Sequence, residues 1–139
     1  MSGSRDEVEK GPEGGRIAGV LAEAAASLDR VEPDDLAAEV AAGALVVDIR
    51  PQQNREDEGL MPGAVVVDRN VLEWRLDPTS PDRIAESDDP DRRVVLFCNE
   101  GYASVLAAES LRKVGLRRAT DLVGGYRAWR TVRDGSGTT

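Results

Sequence analysis

Four short apolar runs frame this chain: Ala44-Leu45-Val46-Val47, Ala64–Val67, Val94–Phe97 led by Arg93, and Ala119–Val123. Each is too short for a helix. In Ala44–Val47 the apolar character does not alternate, which reads as a strand buried on both faces of a sheet; Ala64–Val67 reads as a second buried strand, Val94–Phe97 as a third, and Ala119–Val123 as a fourth strand. Between the runs, apolar residues recur at helical spacing. Leu36, Ala37 and Val40 follow Pro33-Asp34-Asp35, where a proline suits a first turn, acids suit its dipole, and Gly43 supplies the stop. Val71, Leu72, Trp74 and Leu76 make a short helical pattern after Asp68-Arg69-Asn70. Val105, Ala108 and Leu111, with Ala107, predict a helix over Ser104–Val114 that ends at Gly115. Tyr126, Trp129 and Val132 predict a last helix after Gly124-Gly125.

Outside this frame, Ile17, Val20, Leu21, Ala24, Ala25 and Leu28 form one stripe. It predicts an amphipathic helix over residues 15–29 that covers the domain or meets a second copy. Val31 fits a short edge strand. Pro51–Glu58 reads as a polar loop. Pro78–Pro90 reads as an acidic connection with room for one short helix. Residues 1–14 are polar and glycine-rich, a composition expected to be disordered, and residues 134–139 are expected to be a flexible tail. No repeat is visible.

Strands alternating with helices predict an α/β fold with a parallel sheet covered on both faces. All strands of such a sheet end at one edge, where open α/β folds place their sites. Four ends meet there: Asp48 with Arg50, Asp68 with Arg69, Cys98, and Gly124-Gly125.

Composition narrows the chemistry. The 139 residues suffice for one domain, and the balance of 40% hydrophobic to 32% charged residues is that of a soluble globular protein. A net charge of −8 argues against nucleic-acid and anionic-membrane partners. With no histidine, there is no imidazole base or ligand; with one cysteine, there is no intrachain disulfide or multi-cysteine metal site. The charged, run-free N-terminus is not a signal peptide, the stretch from Ile17 to Leu28 is far short of the ~20 residues that span a bilayer, and a lone thiol fits a reducing compartment. The expected location is therefore cytoplasmic. The oligomeric state stays open.

Cys98 leaves a strand and precedes a helix by a few residues. A loop so placed can curl its N–H groups inward as an anion nest, and the helix N-terminus adds partial positive charge. Both favour thiolate, the nucleophilic form. Gly101 permits the torsions of the curl. The alternative is a buried, inert thiol.

Four blocks carry a resemblance: Asp48-Ile49-Arg50, then Gly59-Leu60-Met61-Pro62-Gly63-Ala64, then Cys98-Asn99-Glu100-Gly101-Tyr102-Ala103-Ser104, then Asp121–Trp129. In order and spacing they resemble the rhodanese family of sulfurtransferases over residues 30–133. The resemblance implies a single rhodanese-like domain with a parallel sheet of about five strands flanked by helices. It implies sulfur transfer through a persulfide on Cys98, with Asn99, Glu100, Gly101, Tyr102 and Ala103 cradling the substrate. The donor would be thiosulfate or a thiol persulfide, the acceptor a small thiophile or a protein thiol, with no cofactor or metal.

The chain departs from the family at three places. Arginine or lysine is frequent at the second and sixth loop positions, which here are Asn99 and Ala103. The third position is acidic, Glu100, whose charge near the thiolate would repel a dianion. Leu60 replaces the histidine of the Gly-His-Ile-Pro-Gly turn. A cation would then come from Arg50, Arg69 or Arg75, with Arg69 the first choice for substrate. Asp48, Arg50 and Ser104 are supporting residues. Trp74 and Trp129 are expected to pack. A phosphatase of similar fold needs an arginine where Ser104 stands. The main alternative is a non-catalytic interaction or regulatory module.

Overall fold

The computed structural model describes residues 13–137. Its strands are β1 (Leu45–Asp48), β2 (Val65–Val66), β3 (Val94–Phe97) and β4 (Ala119–Asp121), all parallel and ordered β2-β1-β3-β4. The helices among the described residues are α1 (Arg16–Ala26), α2 (Leu36–Ala41), α3 (Gln52–Glu58), α4 (Leu72–Leu76), α5 (Ala103–Lys113) and α6 (Gly125–Gly137), with single 3-10 turns opening α2 and α4.

The sheet has four strands rather than five. Val31 pairs beside β4 as a single parallel bridge to Leu122. The edge stops there because Pro33, two residues on, has no N–H to donate and opens a 3-10 turn.

Period-two alternation sorts the apolar runs onto two cores. Leu45, Val47, Val94 and Leu96 face α4 and α5 with Leu72, Leu76, Ala107, Ala108 and Leu111. Val46, Val95 and Phe97 face Val31, Leu36, Leu122 and Tyr126. Cys98 continues the Val94–Leu96 side, so its sulfur emerges over the α5 face.

Several segments differ from their sequence patterns. Within Pro51–Glu58, residues Gln52–Glu58 are the helix α3 rather than a loop. It buries no residue and so has no apolar stripe to read; instead Gln52 donates to Glu56 and Gln53 to Asp57, each at 2.9 Å, across single turns. Residues 78–90 form turns without a helix, because Asp77, Ser80 and Asp89 side chains accept from the backbone N–H two residues on. The stripe of α1 is only partly covered: α1 rests on α5 through Ala24, whereas Ile17 and Val20 are half exposed. Trp74 is exposed, leaving Leu72 and Leu76 to fill the core; Phe97 and Tyr126 are the fully buried aromatics among the described residues, and Trp129 is only half-buried against Tyr126. α6 runs to Gly137, past position 134 where a tail was expected. The expected disorder of 1–14 falls almost wholly outside the described residues, as do 138 and 139; Glu13 and Gly14 form a turn. Among the described residues, no helix is long and apolar enough to cross a membrane.

Candidate active site: the Cys98 loop

β3 delivers Cys98, and after four intervening residues α5 begins. The loop between is held by its own backbone and by α6. Tyr126 N–H donates to the Cys98 carbonyl at 2.9 Å and Arg127 N–H to the Asn99 carbonyl at 3.1 Å. The N-terminus of α6 thus takes up the loop's carbonyls. Two glycines make that contact feasible. A Cβ on Gly125 would stand 2.5 Å from the Cys98 carbonyl oxygen, and one on Gly101 2.6 Å from the Gly124 nitrogen. Both residues also have positive φ, 65° and 88°.

With the Cys98 and Asn99 carbonyls taken up by α6, one backbone donor faces the sulfur. Gly101 N–H donates to Cys98 Sγ at 3.2 Å, and the thiol lies 3.3 Å from Ser104 Oγ. Tyr102 gives α5 no side-chain cap, so no side chain competes with the loop for its first N–H groups. Cys98 is 8% exposed, so the residue is recessed beneath the loop.

Two aspartate–arginine pairs flank the loop. On the β1 side, Arg50 donates to both Asp48 oxygens, to the Gly59 carbonyl at 2.9 Å and to Asn99 Oδ1 at 3.4 Å. Its guanidinium lies 4.0 Å from the centre of the Tyr126 ring. Both members are buried, so this cation is fully engaged and braces the loop. On the β4 side, Arg30 grips both oxygens of buried Asp121, at 2.7 and 3.1 Å, and donates to the Gly101 carbonyl at 3.1 Å. Ser104 Oγ donates to the same carboxylate at 2.7 Å. No motif marks Arg30; only the Val31–Leu122 bridge, which sets it beside β4, could have found it.

The remaining predicted residues fall in different places. Glu100 is exposed and pairs with Arg127 at 3.2 Å rather than standing unpaired beside the thiolate. Asn99 is half-buried and donates to Glu58 at 2.7 Å. Glu58 is a second residue without a sequence signal. Its hydrogen bonds from Arg127 and then Asn99, against some desolvation, hold its carboxyl at about 2. Tyr102 and Ala103 are exposed at the start of α5. Arg69 is not brought to the loop. It pairs with Glu73 one turn on, at 3.0 Å, and lines a separate hollow with Arg50, Arg55 and Asp68, two strands from Cys98 in the sheet order. Arg75 donates to the Asp82 carbonyl instead. Beside the loop, a groove of about 490 Å³ runs between α1 and the loop, walled by Leu21, Ala25, Tyr102 and Val105, with Arg30 and Gly101 also lining it.

A recessed thiol with the Gly101 N–H aimed at its sulfur and the Ser104 hydroxyl beside it can hold an anionic sulfur, and this geometry agrees with the comparisons to known proteins. The model of the rhodanese-like domain family matches residues 32–131. A protein of unknown function from Rhodopseudomonas palustris, named as a possible tyrosine phosphatase, is 32% identical, with a TM-score of 0.75 over 84% of this chain and 90% of its own. The human single-domain sulfurtransferase is 27% identical, with a TM-score of 0.63 over 73% of this chain and 95% of its own. A rhodanese homologue from Thermus thermophilus is 29% identical, with a TM-score of 0.51 over 70% of this chain and 96% of its own. Comparison with curated proteins finds no match. With the family model spanning most of the chain and the fold shared with single-domain rhodanese structures, this chain belongs to the rhodanese-like domain family.

Proposed function

We propose that this chain is a sulfurtransferase that carries sulfane sulfur as a persulfide on Cys98, within a compartment reducing enough to keep its single thiol unpaired. The observation that carries the reading is the setting of Sγ, between the Gly101 N–H at 3.2 Å and the Ser104 hydroxyl at 3.3 Å, at the exit of a buried strand. An inert core thiol needs neither an N–H aimed at its sulfur nor a hydroxyl beside it.

The chemistry follows in two displacements. The Cys98 thiolate attacks the outer sulfur of thiosulfate or of a thiol persulfide. The new S–S bond forms as the old S–S bond breaks, and its electron pair leaves with sulfite or with the donor thiolate. A thiophile such as cyanide then attacks the outer sulfur of the persulfide, forming thiocyanate and returning the Cys98 thiolate. Both steps are balanced without a cofactor. The backbone amide at Gly101 stabilises negative charge on sulfur, and the pairing of Glu100 with Arg127 removes much of the repulsion a dianionic donor would meet.

Intact-protein mass spectrometry tests this directly. Incubation with thiosulfate or a thiol persulfide is expected to add one sulfur, about 32 Da by atomic mass, which cyanide removes as thiocyanate; Cys98→Ser adds none. A wild-type protein that gains no mass with either donor would overturn the proposal. That outcome would support the non-catalytic module, which the 8% exposure of Cys98 favours. The phosphatase reading has no such support: where it needs an arginine, Ser104 is buried and bonded to Asp121.

A further inference from the structure

Hydrogen bonds in series connect Arg30 to the reactive sulfur. The guanidinium holds Asp121, Asp121 accepts from Ser104, and Ser104 lies against Cys98 Sγ. A second path runs through Gly101, whose carbonyl accepts from Arg30 and whose N–H donates to Sγ. Both polar neighbours of the sulfur are therefore tied to one cation that lies outside the span matched by the family model.

The bookkeeping of one proton makes this consequential. A hydroxyl has a single hydrogen. While Ser104 donates to Asp121, it offers the sulfur only a lone pair, which suits a thiol and opposes a thiolate. For Ser104 to donate to a thiolate it must turn away from Asp121. A buried carboxylate resists losing a donor, but Arg30 covers both of its oxygens, so Asp121 stays satisfied when the hydroxyl turns. The guanidinium charge also acts on the sulfur. Arg30 is held more firmly protonated chiefly by its hydrogen bond to Asp121, against burial, and the charges of Asp121, Glu32 and Cys98 add to the effect. The other charged groups that face the loop from the packed elements are already matched: Asp48 with Arg50 from β1, and Glu58 and Glu100 with Arg127 and Arg130 from α6.

We propose that Arg30 is a positioning residue that releases the Ser104 hydroxyl from Asp121 to Cys98, and so supplies the thiolate support that a loop with Asn99 and Ala103 lacks. This deepens the sulfurtransferase reading and rests on it for the reaction served, but its test does not depend on sulfur transfer.

The test is the rate of Cys98 alkylation by iodoacetamide, measured at neutral pH and on the alkaline plateau, on the full chain. The neutral rate reports the thiolate population and the plateau reports access. Arg30→Gln is expected to slow the neutral reaction roughly five- to ten-fold with an unchanged plateau, an effect on the scale of one charge near a thiol. Arg30→Lys should recover part of it. Asp121→Asn should act in the opposite direction and speed the neutral reaction, since it leaves the Arg30 charge unopposed and loosens the hold on Ser104. Loosened packing would instead raise the plateau or move both variants the same way. If Arg30→Gln does not fold, the Arg30→Lys and Asp121→Asn pair decides by the same opposition of sign. A wild-type neutral rate in Arg30→Gln, or shifts of one sign in the two variants, overturns the proposal. If these shifts appear but the wild-type protein takes up no sulfur, the sulfurtransferase reading falls and the role of Arg30 stands.

Discussion

The two aspartate–arginine pairs beside the Cys98 loop are alike in chemistry and opposite in surroundings. Asp48 and Arg50 lie two residues apart, both out of contact with solvent, with the guanidinium stacked on Tyr126. Arg30 and Asp121 are brought together from opposite ends of the domain, and Arg30 keeps 25% of its side chain exposed along the groove under α1. The first pair spends all its donors on the frame: Asp48, the Gly59 carbonyl and Asn99. The second reaches the sulfur through both of its polar neighbours. Burial decides which cation is a brace and which is left to act on charge.

Removing each cation is the sharpest way to break that contrast. Arg50→Ala strands a carboxylate in the core and is expected to cost about 3–5 kcal/mol, visible in urea unfolding as a lower midpoint with the same slope. Arg30→Ala should cost less, about 1–2 kcal/mol, because water at the groove can replace part of the lost pairing. Equal losses would erase the distinction between brace and tuner.

Acid sharpens it next. Glu58 joins α3 to Asn99 and Arg127, and its carboxyl is held at about 2, below its ordinary value of 4.5. A depressed carboxylate contributes its full stabilisation above 4.5 and loses it as pH falls toward 2. Unfolding followed over that window should show a declining limb that flattens in Glu58→Gln. A variant with the same acid limb as wild type would place the acid sensitivity elsewhere.

The smallest effect belongs to Arg69. Tied to half-buried Glu73 and absent from the loop, it should give, as Arg69→Ala, an unaltered KM for thiosulfate and little change in stability. A raised KM would bring that hollow back into the substrate path.

The same contrast explains what the sequence disclosed. β1 and β3 are readable because each side of their pleat is apolar, so the run itself states double burial. Cys98 is readable because strand exit and helix start bracket it. The Asp48–Arg50 pair is local and lies within a motif. By contrast, Arg30 meets Asp121 only once Val31 has paired with Leu122, a register that no local pattern encodes. α3 was hidden because it buries no apolar residue and is supported by amide–carboxylate pairs and by polar ties such as Glu58 to Asn99 rather than by a hydrophobic stripe. Glu100 was readable as a charge but not as a neutralised one, because Arg127 comes from a different element. The fifth strand failed on a single proline placed too close to Val31.

The ties running from Ser27, Asp29 and Arg30 into the body of the domain bear on how it can be moved as a module. Arg112 donates to the Ser27 carbonyl, Arg93 grips Asp29, and Arg30 itself holds β4. A graft that carries only residues 32–131 into another protein would bring the cysteine, its loop and the sheet, yet leave Asp121 without its cation and held by Ser104 alone. The transplantable unit is therefore longer than its recognisable motif, beginning no later than Ser27. A chimera spliced at that point should keep the reactivity of the parent thiol, whereas one spliced at residue 32 should inherit the shape of the site without its tuning.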